Sequence, residues 1–212
     1  MYKIPLLSWR HVAYMNVKDS FTLMSQIVES LYTLAESQSG YFTTAQAAER
    51  GVTRQLLAYH CAEGNIDRAA HGIYRLRRYP AQPFEDLIVA CLWVGPDAVV
   101  SHETALAVYG LGDAMPATIH VTVPRRFRGR RPGARVHHAS LPASDRLTYN
   151  GVPITSVERT LIDVAAASDP SLALQAAVEA LERGVTTRRR LRRRLAGDDR
   201  AGRVLEPALG QP

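Results

Sequence analysis

Apolar residues in the first third of the chain recur at intervals of three and four, which is the spacing of amphipathic helices. This spacing predicts a first helix over residues 21–35 with one buried face. Thr43 and Gln46 have the spacing of a capping box and predict the start of a short second helix. Gly51 is placed to end that helix, and residues 54–63 form a third. Three consecutive helices with a tight turn before the last predict a helix-turn-helix.

The hydrophobic period changes after the third helix. Residues 66–69 and 73–76 have the pattern of two short strands, and Ala70, His71 and Gly72 form a turn between them. This hairpin is predicted to be the wing of a winged helix-turn-helix. Two prolines within residues 79–83 then favour an extended linker.

Helices and short strands alternate from Phe84 onward. We predict a mixed α/β region with strands at 119–123, 134–138 and 152–155 and helices at 84–94, 101–109, 156–167, 170–184 and 187–196. The predicted fold class is therefore α+β. The predicted organisation is an N-terminal extension (1–20), a winged helix-turn-helix (21–79), an α/β partner-binding domain ending in helices (84–197) and a flexible tail (198–212).

The charge of the chain favours a polyanionic partner. The net charge is +6, the pI is about 9.6, and Lys3 and Lys18 are the only lysines among 26 basic residues. We find neither an apolar run of about 20 residues nor a signal-peptide pattern, so we expect a cytoplasmic protein without a membrane partner. Cys61 and Cys91 are expected to remain reduced and to pack as small hydrophobes.

The predicted third helix is the candidate for reading base edges in the major groove. Leu57 and Cys61, four residues apart, are expected to face the core. The residues then turned outward are Thr53, Arg54, Gln55, Ala58 and Tyr59. Arg pairs well with guanine and Gln with adenine, so Arg54 and Gln55 are the best candidates for base readout. The alternative is a solvated polar face on a small helical domain.

Basic residues are dense along the predicted wing, where they would contact phosphate or the minor groove. The remaining candidate DNA-binding residues are Thr44 and Gln46 on the second helix and Arg68, His71, Tyr74, Arg75, Arg77 and Arg78 on the wing. The alternative is a charged hairpin that keeps its edges soluble.

Two further arginine clusters lie in the second half of the chain. One occupies a loop between strands at residues 125–131, and the other a helix at residues 188–194 whose only apolar residues are Leu191 and Leu195. Because that helix has so little apolar anchorage, we expect the wing to supply most of the electrostatic affinity for DNA. The C-terminal cluster would suit a protein partner, although a solvated helix is an equal alternative.

The sequence contains no complete catalytic signature. His102 and Glu103 begin like a zinc-protease pair, but Leu106 stands where the second ligand would be. His120, His137 and His138 could gather, yet their acidic neighbours in sequence are sparse, so we expect neither a metal site nor a cofactor. Catalytic residues are likewise not expected. Arg159 and Asp163 have the spacing of a surface or interdomain ion pair.

The order of these motifs resembles the AbiEi antitoxins of bacterial toxin–antitoxin and abortive-infection systems. The resemblance covers most of residues 26–182 and rests on 42–47 (FTTAQA), 51–54 (GVTR), 71–76 (HGIYRL), 101–106 (SHETAL), 119–124 (IHVTVP) and 151–163 (GVPITSVERTLID).

What the resemblance implies is a repressor that binds repeats in its own promoter and neutralises a nucleotidyltransferase-like toxin encoded beside it. Whether neutralisation needs direct contact stays open, as does a monomer in solution that binds DNA cooperatively. A stand-alone transcription regulator is the first alternative, and a neighbouring nucleotidyltransferase gene would separate the two. The second is an enzyme that modifies the toxin, which mass spectrometry of toxin incubated with the protein and nucleotide would test.

Overall fold

The computed structural model describes residues 29, 31–167 and 169–210. The chain divides into two compact units, one ending at Glu85 and the other beginning at Asp86. The predicted extension at 1–20 and most of the predicted first helix lie outside the described residues. In the part of the chain that is described, no helix is long and apolar enough to cross a membrane.

The first unit has the elements of a winged helix-turn-helix. They are a helix over residues 31–36 (α1), β1 (Tyr41–Thr43), α2 (Thr44–Glu49), α3 (Arg54–Ala62), β2 (Ile66–Ala70) and β3 (Ile73–Leu76). The strands form an antiparallel sheet in the order β1-β3-β2. Strand β1 was not predicted, because three residues are too few to show a period of two.

Local sequence signals place α2 and α3 as predicted. The Thr43 hydroxyl accepts from the Gln46 amide at 3.2 Å, and the Gln46 side chain accepts from the Thr43 amide at 2.9 Å, which completes the capping box. Gly51, with a φ of +80°, makes the left-handed turn between the helices at no steric cost. Phe42 and Leu57, both fully buried, lie in the core beneath.

The second unit is a mixed sheet covered by helices. Its elements are α4 (Glu85–Val94), β4 (Val99–Val100), α5 (His102–Tyr109), β5 (Ile119–Val123), β6 (Ala134–His138), a 3-10 turn (Ala143–Asp145), β7 (Arg146–Tyr149), β8 (Val152–Thr155), α6 (Val157–Ala167), α7 (Pro170–Glu182), α8 (Arg188–Leu195) and α9 (Asp199–Gly210). The strand order is β6-β5-β4-β8-β7. Strands β5 and β6 are parallel, as are β4 and β8, and the other two pairs are antiparallel.

Two strands of this sheet were absent from the sequence prediction. The central strand β4 has only two residues, both buried, and is too short for any periodic signal. Strand β7 is mostly exposed, so apolar residues do not mark its inner face. Both are held by backbone pairing to strands that were predicted, β5 and β8.

The predicted flexible tail is wrong, because residues 199–210 form a helix. Ala201, Leu205, Ala208 and Leu209 lie on one face of α9 and are at most 2% exposed. They pack into the same core as Leu161 of α6. The spacing of these apolar residues is typical of a helix, but Gly202 and Pro207 interrupt the pattern. The helix becomes stable only when this face packs against the neighbouring helices.

Both cysteines are free, as expected. Cys91 is buried on α4, and burial raises the pKa of its thiol to about 12, so it remains protonated. Cys61 is half-buried on α3 and packs against the core of the first unit. Both side chains therefore serve as small hydrophobes.

Candidate nucleic-acid interface

Helix α3 presents the predicted face to solvent. Thr53 caps its start by accepting from the Leu56 amide at 3.2 Å. Leu57 is fully buried, and the exposed residues are Thr53, Arg54, Gln55, Ala58 and Tyr59, with Tyr59 55% exposed. The predicted orientation of the helix is therefore confirmed. A polar face on the second helix of a helix-turn-helix is the surface that enters a major groove.

The two predicted contacts on α2 are already engaged within the unit. The Thr44 hydroxyl donates to the Gly72 carbonyl at 3.3 Å. The Gln46 amide closes the capping box and donates to the Gln38 side chain at 2.9 Å. Contact between Gln46 and a base would therefore break the cap that starts α2.

Arg75 is held inside the unit by several acceptors. Its guanidinium donates to the Glu85 carboxylate and the Tyr79 carbonyl, both at 3.0 Å, and to the Leu76 carbonyl at 3.3 Å. Its side chain is only 17% exposed and lies 5.7 Å from the centroid of the Tyr41 ring. These contacts tie the segment after the wing to the sheet, which is a structural role.

The hydrogen bond from Tyr41 to Glu85 belongs to the same network. The Tyr41 hydroxyl donates to the Glu85 carboxylate at 2.8 Å. Burial, together with this bond to an anion, raises the pKa of Tyr41 to about 12. The group therefore stays protonated and keeps donating across the physiological range.

Two more predicted wing contacts have partners within the unit. Tyr74 is half-buried and stacks on Phe42, with ring centroids 5.8 Å apart, so its ring belongs to the core. Arg77 forms an ion pair with Asp67 at 2.6 Å, and both side chains are about half exposed. Such an exposed pair is weak and could exchange Asp67 for a phosphate.

Besides Arg77, the exposed basic residues of the wing are Arg68, His71 and Arg78. Arg68 and His71 approach each other at 3.2 Å, at the tip of the hairpin. The register of β2 shifts between Arg68 and Ala70, which is a bulge of the kind that redirects side chains. Of the predicted wing strip, these three residues are the most available to a phosphate backbone.

Comparison with protein families decides the identity of the chain. The family model described as "Transcriptional regulator, AbiEi antitoxin" matches residues 29–77, and the one described as "AbiEi antitoxin C-terminal domain" matches residues 97–206. The chain belongs to the AbiEi antitoxin family. Its first unit is the regulator domain of that family, and its second unit is the antitoxin C-terminal domain.

A solved structure supports the fold of this AbiEi-family antitoxin. The crystal structure of the RV2827C protein from Mycobacterium tuberculosis matches with a TM-score of 0.52 and 16% sequence identity. The match covers 90% of this chain and 78% of that one, and at this identity it speaks for the fold alone. No curated protein matches the chain.

The second unit of the antitoxin displays two basic surfaces. The loop between β5 and β6 exposes Arg125, Arg126, Arg128 and Arg130, and Phe127 anchors it edge-on against Trp93 with ring centroids 4.9 Å apart. On α8 the exposed arginines include Arg189, Arg190 and Arg193.

Helix α8 is better anchored than its sequence suggested. Leu191 is fully buried, Arg192 donates to the Leu209 carbonyl at 3.1 Å, and Arg194 pairs with the buried Asp145. The apolar anchorage of α8 is limited to Leu191 and Leu195, as expected from the sequence. Polar contacts to the 3-10 turn and to α9 add anchorage that the sequence did not predict.

The Arg159–Asp163 pair was expected at the surface or between domains, but it lies inside the second unit. Arg159 donates to Asp163 at 2.8 Å and lies 3.9 Å from Asp145. Burial raises the pKa of Asp163 to about 6 despite the neighbouring guanidinium. One Asp163 oxygen is buried without a hydrogen-bond partner among the described residues, which fits that shift.

Three histidines meet on the sheet of the second unit. His102, His120 and His137 each offer one ring nitrogen, and these nitrogens all lie within 4.8 Å of one another. The sequence had suggested His138 as the third member, but His138 is exposed and His102 takes that place. The missing acidic neighbour is Glu103, whose carboxylate lies 2.7 Å from His120 Nδ1. Side chains alternate between the two faces of β5 and β6, and this pattern could have placed His120 and His137 on the same face. The position of α5 beside them follows only from the fold.

The surroundings keep two of these imidazoles neutral. Burial, reinforced by the other rings, lowers the pKa of His102 to about 3 and that of His137 to about 4. The two rings stack with centroids 3.6 Å apart, which suits uncharged imidazoles. His102 and His137 thus hold lone pairs rather than positive charges near neutral pH.

Proposed function

We propose that this antitoxin represses its own operon by placing α3 in the major groove of promoter DNA, and that it neutralises a nucleotidyltransferase-like toxin encoded beside it. The observation that carries the DNA half is the exposed polar face of α3 above the buried Leu57. Arg54 can bind guanine through two hydrogen bonds, and Gln55 can do the same with adenine.

The proposed roles of these residues in DNA binding follow from which side chains are exposed. Arg54 and Gln55, in the first turn of α3, supply base readout. Arg68, His71 and Arg78 supply phosphate contacts beside the groove, which set the register of the protein on DNA without reading sequence. Tyr59 extends the same face and can pack against sugar or thymine methyl groups.

The test is binding of the full chain to promoter and scrambled DNA at one salt concentration. In the Arg54→Ala, Gln55→Ala double variant each lost base contact should cost about 1 to 3 kcal/mol on the promoter, with much less effect on scrambled DNA. Arg200→Ala, an exposed arginine on α9, is the matched control and should bind like the wild type. Equal loss on both DNAs would mean that these residues touch phosphate and do not read bases.

The toxin half rests on the family and on the exposed arginines of α8. Arg189, Arg190 and Arg193 present positive charge from an anchored helix, which suits an acidic protein face. Co-expression with the adjacent gene product should relieve its toxicity and allow pull-down. Replacing Arg189 and Arg193 by Glu should weaken capture while promoter binding remains. Rescue of growth without any capture would favour neutralisation by another route.

A further inference from the structure

We propose that His102, His120 and His137 form a binding site for a divalent transition metal ion, best matched by zinc. The three side chains come from the start of α5 and from the parallel strands β5 and β6. In that pairing Thr122 lies opposite His137, and His120 is two residues before Thr122, so His120 and His137 share a face of the sheet. The site lies in the second unit and does not depend on the proposed DNA contacts.

The spacing of the nitrogens is close to that of a tetrahedral metal. His120 Nδ1 and His137 Nε2 lie 3.3 Å apart. Zinc–nitrogen bonds of about 2.0 to 2.1 Å at a tetrahedral angle place two ligand nitrogens about 3.3 to 3.4 Å apart. All three nitrogens lie within 4.8 Å of one another, so a modest rotation of the rings would close the set around one ion.

The outer nitrogens of His102 and His120 have the partners that metal-bound histidines need. His102 Nδ1 lies 3.0 Å from the Ser101 hydroxyl, and His120 Nε2 lies 3.1 Å from the Thr118 hydroxyl. Ser101 in turn accepts from the Thr122 hydroxyl at 2.7 Å and makes no side-chain cap to α5. When each hydroxyl accepts from the outer N–H, the inner nitrogen keeps its lone pair for a metal.

A single proton on His120 Nδ1 can satisfy only one of its two inner contacts well. His120 Nδ1 faces both His137 Nε2 at 3.3 Å and the Glu103 carboxylate at 2.7 Å. One proton on Nδ1 cannot serve both acceptors well, whereas a cation would accept electron pairs from all three groups. Glu103 would then be a fourth ligand or would hold a metal-bound water.

The ligand types indicate which metal ion would bind, and the exposure of His137 indicates how the ion would reach the site. Three imidazoles beside one carboxylate suit zinc, and the same set disfavours magnesium and calcium, which prefer oxygen ligands. His102 and His120 are buried, while His137 is half-buried on β6, an edge strand. An ion can therefore enter past His137 and bind against the buried pair.

The backbone at His102 is an independent sign of a built site. Its φ is +53°, which is uncommon for a residue other than glycine and costs free energy. This conformation places the His102 ring against His137, with ring centroids 3.6 Å apart. Strain of this kind persists where the surroundings demand it.

The first experiment measures metal content in the full chain, purified without a histidine tag. We expect one zinc ion per chain by mass spectrometry of the metals, and restored binding when chelator-treated protein is titrated with zinc. His137→Gln and His120→Gln should weaken zinc binding by at least about 100-fold. His138→Gln, the adjacent exposed histidine on β6, is the matched control and should bind zinc like the wild type.

The second experiment distinguishes the loss of a metal ligand from unfolding of the variant. Cobalt added to the chelated wild type should give the visible absorption of a tetrahedral site, and His137→Gln should lose it while keeping the far-UV circular dichroism of the wild type. Ser101→Ala should weaken zinc by about 10- to 100-fold through the outer hydrogen bond. A chain that neither holds nor binds zinc, or equal zinc affinities in the His137→Gln and His138→Gln variants, would overturn the proposal.

Discussion

Replacing Arg75 by alanine should destabilise the first unit without changing how strongly salt weakens DNA binding. The side chain is 17% exposed and donates to the Glu85 carboxylate and the Tyr79 carbonyl at 3.0 Å. Its removal leaves the Tyr79 carbonyl without this donor, and the partly buried Glu85 carboxylate keeps only the Tyr41 hydroxyl and the Gln82 amide as donors. Hydrogen bonds that involve a charged group contribute about 1.5 to 3 kcal/mol, and we take about 2 kcal/mol for this partly exposed set.

This loss of stability can be expressed as a decrease in melting temperature. In a domain of this size 1 kcal/mol corresponds to about 4 to 8 °C, so Arg75→Ala should lower the transition of the first unit by about 8 to 16 °C. Differential scanning calorimetry of the full chain measures it, and hydrogen exchange assigns the transition to the first unit. Fluorescence anisotropy on promoter DNA at several salt concentrations gives the slope of log affinity against log salt.

Arg68→Ala and Arg78→Ala are the matched controls on the same wing. Both residues are exposed, so each variant should keep the wild-type melting temperature. Each should flatten the salt slope by about 0.9 if it removes one phosphate contact. An Arg75→Ala variant that melts like the wild type and flattens the slope by about 0.9 would refute this division of the wing arginines.

Three further predictions concern other parts of the chain. Gln46→Ala should cost about 1 kcal/mol of thermal stability through the lost cap, with promoter discrimination intact; lost discrimination at an unchanged melting temperature would make Gln46 a base contact. The pKa of Asp163, raised by burial from 3.8 to about 6, means that stability from its protonated form is present below about pH 4 and lost as pH rises through 6. Compared with Asp163→Asn in urea unfolding at pH 4.5 and 7.5, the wild type should therefore lose about 2 kcal/mol more on going to pH 7.5, and parallel profiles would contradict the shift. Leu205→Ala on α9 should destabilise the second unit by about 2 to 5 kcal/mol in urea unfolding, whereas a flexible tail predicts no change.

Local features of the first unit could be read from sequence because they depend on neighbours along the chain. The capping box of Thr43 and Gln46 involves residues three apart, and the outward face of α3 follows from Leu57 and the helical period. The family could be recognised for the same reason, since its motifs are short and occur in order.

The roles of the wing residues needed the tertiary structure. Arg75 and Arg77 look alike in sequence, yet Arg75 is bound to Glu85 and Arg77 to Asp67, each 10 residues away. Tyr74 sits among arginines in the sequence but stacks on Phe42 of another strand. A charged or aromatic residue has several possible partners, and only the packed chain decides which one it meets.

The second unit depends most on long-range packing. Glu103 and His120 are 17 positions apart, as are His120 and His137, and they meet only because β5 and β6 pair and α5 begins at their face. Helix α9 is similar, since its apolar face gains free energy only against the core that α6 helps to form. Sequence by itself determined the helical and strand periods and the family. The tertiary structure alone decided which polar groups converge, because that depends on contacts between distant segments.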